Sequence, residues 1–106
     1  MTSLVLSNNL LSGNIYLGNL PITMERLSLD SNSFSGTIDM TRLPGSMRTL
    51  DLGRNNFVGS TDFGKLPKSL RFLYVNDTRL VGEIQQNQNN GIFAEDTAVT
   101  VLPYEG

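Results

Sequence analysis

The chain of 106 residues contains no cysteine, which excludes disulfide staples and thiolate metal sites. It contains no histidine either, so the commonest general base and the commonest metal ligand are missing. Charge is sparse and nearly balanced, with 8 Lys and Arg against 10 Asp and Glu and a formal net charge of −2. Gripping nucleic acid requires a basic surface, so no nucleic-acid partner is expected. There is no polybasic patch for an anionic membrane. No apolar run approaches the roughly 20 residues that span a bilayer, so no membrane insertion is expected in this chain. The N-terminal Met1-Thr2-Ser3-Leu4 has neither the basic region nor the sustained apolar region of a secretory signal. The lack of cysteine favours a cytoplasmic setting if the chain is complete, and the compartment is otherwise open. No cofactor is implied.

Hydrophobic residues make up 39% of the chain and charged residues 17%, a composition that suits one small globular domain. Within it a unit repeats. Leu4, Leu27, Leu50 and Leu73 follow one another at a constant 23-residue step. The same step links Leu6, Leu29, Leu52 and Val75, and it links Leu11, Phe34, Phe57 and Leu80. It also links Asn9, Asn32, Asn55 and Thr78, and Gly13, Gly36, Gly59 and Gly82. Leu-Pro pairs recur at Leu20-Pro21, Leu43-Pro44 and Leu66-Pro67. So many positions sharing one period define a repeat architecture, with units 1–23, 24–46, 47–69 and a half unit 70–86.

The second unit shows the physics of all of them. Met24 to Leu29 alternates apolar and polar residues, which predicts a short half-buried strand with Leu27 and Leu29 inward and Arg26, Ser28 and Asp30 outward. After Asn32 the chain turns and Phe34 re-enters the core. Gly36 serves a backbone turn. Ile38 and Met40 return inward, and Leu43-Pro44 closes a back that is expected to be extended or 3₁₀. One unit cannot bury its own apolar side. Stacked units bury columns of equivalent residues beneath a parallel sheet. A buried asparagine amide offers both a donor and an acceptor, so Asn9, Asn32 and Asn55 are expected to form a structural ladder joining successive turns, which ends at Thr78.

The pattern LxxLxLxxNxLxG, closest in MTSLVLSNNLLSGNI (Met1–Ile15) and MERLSLDSNSFSGTI (Met24–Ile38), resembles the leucine-rich-repeat superfamily. The Leu-Ser-Gly-x-Ile and Phe-Ser-Gly-x-Ile segments are similar to its plant-type subclass, and Leu-Pro-x-Ser is similar to repeats common in protozoan proteins. The resemblance implies a leucine-rich-repeat solenoid over residues 1–86: a short parallel sheet on the concave face, an irregular convex side, and recognition of a protein or peptide on the sheet. The chain departs from the pattern at Thr61, which stands where Ile15, Ile38 and Ile84 stand, and after Ile84, where Gln86, Asn89 and Asn90 replace Met40, Leu43 and Pro44. Residues 87–106 read as a polar linker and a tail, either frayed or a degenerate cap to which Ala98–Leu102 adds an edge strand. The chain opens inside a strand with no cap before it. The expectation is therefore that further repeats flank it in a longer parent chain.

The outward positions carry the expected partner-binding surface: Arg26, Ser28, Asp30, Thr49, Asp51, Arg54, Phe72, Tyr74 and Asn76. Phe72 and Tyr74 are the sharpest signal, because aromatics are favoured interface anchors. Cover by the C-terminal tail or plain exposure is the bland explanation. Asp30 and Asp51, on neighbouring strands, suggest a carboxylate pair of the glycosidase kind or, with Asn76, a cation site. An ion-pair lattice with Arg26, Arg54 and Arg71 explains them more simply. Asn76-Asp77-Thr78 is a glycosylation sequon of a kind that chance supplies in such a chain. Ser7, Ser12 and Ser35 occupy repeat positions and have no histidine to activate them. The reading is a non-catalytic protein–protein interaction module. Its alternative is a structural fragment of a larger leucine-rich-repeat protein, such as a receptor, a receptor kinase or a surface antigen, whose function lies in other domains.

Overall fold

A computed structural model describes residues 2–86 and 90–103. Met1, the middle of the polar linker at 87–89 with its Asn89 position, and the end of the tail at 104–106 lie outside the described residues. Ten strands follow in order: β1 Thr2–Val5, β2 Ser12–Asn14, β3 Met24–Ser28, β4 Ser33–Gly36, β5 Thr49–Asp51, β6 Asn56–Ser60, β7 Phe72–Tyr74, β8 Arg79–Gln85, β9 Gly91–Phe93 and β10 Ala98–Leu102. Odd-numbered strands form one parallel five-stranded sheet, β1-β3-β5-β7-β9, and even-numbered strands form a second, β10-β8-β6-β4-β2. The chain is thus a parallel β-solenoid of about five turns, with no helix among the described residues.

The second sheet corrects the expected irregular back. Once the chain has turned at the asparagine, each Ser-Phe-Ser-Gly-like segment lies one turn-height from its copy. Strands about 4.8 Å apart pair when both are extended. Only the third side, around the Leu-Pro-x-Ser segments, is made of turns, and among the described residues it is not 3₁₀. There the Pro21, Pro44 and Pro67 carbonyls accept from the backbone N–H of Met24, Met47 and Leu70 at 3.0, 3.1 and 3.1 Å. The Ser46 hydroxyl donates back to the Ile22 and Met24 carbonyls of the preceding turn at 2.6 and 2.8 Å, and the Ser69 hydroxyl donates to Met47 at 2.6 Å.

Register explains how one period serves two sheets. In the first sheet partners such as Leu27 and Leu50 stand one full 23-residue period apart. In the second, the step between partners such as Ser12 and Ser33, or Val58 and Arg79, is two positions shorter. A slip of two leaves every side chain facing the same way. The last turn keeps this rule at a shorter period: Leu73 pairs with Ile92 at a step of 19, and Val81 with Ala98 at a step of 17. Residues 91–103 therefore carry the strands of a fifth turn rather than a frayed tail, and the shorter step arises in the fourth turn, which passes from β8 to β9 without a Leu-Pro-x-Ser side.

Each turn bends at a residue with left-handed backbone, Asn8, Ser31, Arg54, Asp77 and Asp96, with φ between 54° and 59°. The ladder residue comes next. Asn55 donates to the Leu29 carbonyl of the preceding turn at 2.9 Å and to Leu52 and Gly53 of its own at 3.2 and 3.0 Å, while its oxygen accepts the Phe34 N–H at 3.1 Å. Asn32 does the same with Leu6, Leu29, Asp30 and the Leu11 N–H. Asn9 donates within its own turn, to Leu6 and Ser7. Where threonine replaces asparagine the bonds stay local: Thr78 donates to Val75 at 2.7 Å and Thr97 to Ala94 at 2.7 Å.

The core is the set of columns expected from the repeat. Leu27, Leu50 and Leu73 are buried, as are Leu29, Leu52 and Val75. Phe34 and Phe57 stack with ring centroids 6.4 Å apart. Gly82, at φ +156°, shows why its position excludes a side chain: a Cβ there would lie 2.7 Å from the Thr61 carbonyl oxygen. Thr61 is itself buried in place of isoleucine, and its hydroxyl has no hydrogen-bond partner.

Candidate functional site

Strand alternation and the 23-residue register together lay out a grid on the outer face of the first sheet. Arg26, Thr49 and Phe72 form one row, and Ser28, Asp51 and Tyr74 the next. Past the strand ends the pairing continues, since Ser31 N–H donates to Gly53 and Arg54 N–H to Asn76 at 3.1 and 2.8 Å. Asp30, Gly53 and Asn76 thus form a third row. The fifth turn extends all three with Gly91, Phe93 and Glu95, because Phe72 pairs with Gly91, Tyr74 with Phe93, and Asp77 N–H donates to the Glu95 carbonyl.

The structure therefore brings all nine expected face residues onto one surface, with one change of role. Ser28, expected to be exposed, is only 3% exposed. Its short side chain lies among longer neighbours, and its hydroxyl accepts a bond from Arg26 Nε at 3.4 Å. It supports the face rather than presenting itself.

Gly53 leaves the centre of the third row without a side chain. The result is an open depression of about 200 Å³ lined by Asp30, Ser31, Asp51, Gly53, Arg54, Tyr74 and Asn76. Asn76 leans over the glycine so closely that a Cβ there would lie 2.6 Å from its Oδ1. Burial pushes the Asp51 carboxyl above the ordinary carboxylate range, and the charge of Asp30 adds to the push. A bond from the Gly53 N–H at 3.0 Å and the charges of Arg26 and Arg54 work against it. Asp30 accepts the Ser7 hydroxyl at 2.6 Å. Arg54 is drawn to Asp77, 3.7 Å away, and Asn76 also donates to Asp77 at 3.2 Å. Both partners of the Arg54 pair are well exposed, so it contributes under about 1 kcal/mol.

Beside this polar depression lies an aromatic corner. Tyr74 and Phe93 stack at a centroid distance of 4.6 Å with planes 9° apart, and Phe72 is 47% exposed next to them. A second depression of about 200 Å³ is lined by Tyr74, Asn76, Phe93 and Glu95. The tail thus covers one side of Tyr74 with a ring and adds a carboxylate. Reasoning from the 23-residue period missed Phe93 and Glu95, because the last turn keeps a period of 19. The signal was present: Asp96, Thr97 and Val99 repeat Asp77, Thr78 and Leu80 at that shorter spacing. In the sequon, the Thr78 hydroxyl is buried and committed to the Val75 carbonyl. No helix of the described residues is long and apolar enough to cross a membrane.

No family model matches the chain, and no curated protein or solved structure matches it either.

Proposed function

We propose that this β-solenoid is a leucine-rich-repeat-type, non-catalytic interaction module. It binds a protein or peptide on the outer face of the first sheet, the face that the leucine-rich-repeat reading makes concave. The 23-residue leucine columns and asparagine corners support the family reading. The observation that carries the function is the polar depression over Gly53 lying directly beside the Tyr74–Phe93 stack. Interfaces combine such aromatic anchors with polar groups that fix orientation. The face carries carboxylates, amides and guanidinium groups that can hydrogen-bond a ligand.

Selection of a random peptide library on the immobilised chain tests the proposal. Selected peptides should share a motif, and their binding should fall at least tenfold when Tyr74 and Asp51 are both replaced by alanine. Peptides that bind the double variant as well as the parent would place recognition elsewhere and overturn the reading.

A further inference from the structure

The depression over Gly53 is built from the second, third and fourth turns, and its free polar groups share one character. Tyr74 forms one wall. Phe93 of β9 covers one face of the Tyr74 ring, stacked at 4.6 Å with planes 9° apart. β5 flanks β7 on the side away from β9, so the other face of the ring looks toward Asp51 and over the depression. Asp30 and Asp51 stand across from it. Among the described residues each carboxylate is hydrogen-bonded by a neutral donor, Asp30 by the Ser7 hydroxyl at 2.6 Å and Asp51 by the Gly53 N–H at 3.0 Å. The guanidinium groups nearby are drawn elsewhere, Arg54 to Asp77 at 3.7 Å and Arg26 to the Ser28 hydroxyl at 3.4 Å. Asn76 turns its Nδ2 to Asp77, which leaves its Oδ1 over Gly53 as an acceptor. On and beside the depression the carboxylates of Asp30, Asp51, Asp77 and Glu95 thus outnumber the guanidinium groups of Arg26 and Arg54.

We propose that the partner is a peptide bearing an arginine, whose guanidinium lies in this depression against the open face of Tyr74 and donates to Asp30, Asp51 and the Asn76 oxygen. The proposal rests on the peptide-binding reading of this face and names the side chain that the face selects. Charge complementarity commits the occupant to a cation, and a cation over an aromatic face gains further from the ring quadrupole. Hydrogen bonding points the same way. Three side-chain acceptors converge where the glycine leaves room, and arginine is a donor without an acceptor. Planarity favours arginine over lysine. A guanidinium stacks flat on a ring while its N–H groups fan out in plane to carboxylates, and it is more weakly hydrated than an ammonium. A bound cation also offsets the like charge that Asp30 imposes on half-buried Asp51.

Backbone amide NMR of the full chain, titrated with the peptide acetyl-Gly-Gly-Arg-Gly-Gly-amide, tests this. Saturable shifts are expected at Gly53, Arg54 and Asn76. The same peptide with citrulline keeps the shape of arginine without its charge and should bind roughly tenfold more weakly. The lysine peptide should also bind more weakly. Asp51→Asn should weaken the arginine peptide by roughly tenfold with the far-UV circular dichroism unchanged. Glu83→Gln, which removes the same charge from an exposed position on β8 of the second sheet, should leave binding intact. No saturable shift at these residues, equal binding of the citrulline or lysine peptide, or an Asp51→Asn variant that binds like the parent would each overturn the proposal. Failure of the peptide-binding reading is distinct. Library peptides that need Tyr74 and Asp51 but carry no arginine overturn the choice of arginine and keep that reading, whereas peptides indifferent to both residues overturn the reading itself.

Discussion

The first and third turns share the repeat's leucine, asparagine and glycine positions and live in opposite surroundings. Leu50 is fully buried where Leu4 is exposed, and Phe57 is fully buried where Leu11 is exposed. Asn55 spans two turns where Asn9 donates within one. The difference lies in the neighbours. A third-turn residue has a copy of itself above and below, and a first-turn residue has one on a single side. In a solenoid, burial and the energy that follows from it belong to the stack as much as to the residue.

The comparison is broken most forcefully at the phenylalanine column. Phe57→Ala removes a fully buried ring and should cost about 3–5 kcal/mol, a large share of the total stability of a small domain. Leu11→Ala, at the equivalent place in the first turn, should cost about 0.5 kcal/mol, as at an exposed site. Urea unfolding of the two variants decides it. Equal losses would mean that the first turn is covered as well as the third.

The asparagine corner gives a smaller contrast. Asn55→Ala would strand the Leu29, Leu52 and Gly53 carbonyls and the Phe34 N–H, and should cost about 1–3 kcal/mol. In Asn9→Ala the Leu6 carbonyl keeps its bond from Asn32 and the Ser7 carbonyl turns to water, so the loss should be a few tenths of a kcal/mol, roughly that of an ordinary surface change. Thermal melts of the two variants measure the difference. A large loss at Asn9 would show that its bonds carry the corner without help from a second turn.

Much of this arrangement was legible in the sequence, because a repeat writes the same physical constraint several times. The leucine columns, the asparagine corners and the face residues from Arg26 to Asn76 all follow from alternation and period. The second sheet did not follow. Gly36 and its equivalents read as turn residues, and only the shorter register of the second sheet reveals them as strand positions, where a side chain at Gly36, Gly59 or Gly82 would press on the preceding turn. The fifth turn was hidden by a change of period. Once the Leu-Pro-x-Ser side is lost, Ile92, Ala94 and Thr97 fall out of step with Leu73, Val75 and Thr78, although they fill the same places. The burial of Ser28 was equally invisible, since it depends on the length of side chains in adjacent turns.

Thr61 sharpens the comparison within the core. Its buried hydroxyl has no partner, and Ile38 and Ile84 hold the same place in the neighbouring turns. Thr61→Val keeps the shape and removes the stranded hydroxyl, so it should stabilise the fold by about 1 kcal/mol. That corresponds to a rise of roughly 4–8 °C in Tm for a chain of this size. A fall in Tm would mean that the hydroxyl finds a partner in solution.

The smallest effect concerns the outer face, where neighbours also act. Asp51 lies between two turns, and burial raises its carboxyl above the ordinary value of 3.8. A raised folded-state value means that the folded chain binds the proton more tightly than the unfolded chain. Asp51 therefore contributes its stability in full below 3.8, and the contribution is lost as pH rises through its folded value. Asp39 is the counter-case: fully exposed, it is lowered by bonds from the Thr41 hydroxyl and N–H. Its small contribution is present above the ordinary value and fades as pH falls through the lowered one. Replacing Asp51 with asparagine should accordingly raise stability at neutral pH and leave it nearly unchanged in acid, so the gain over the parent shrinks as pH falls. Urea midpoints of the two proteins from neutral to acid pH test the sign. A gain that grows toward acid would mean that Asp51 is held in its charged form by Arg26 and Arg54, and that the crowding of the middle turns stops at the core.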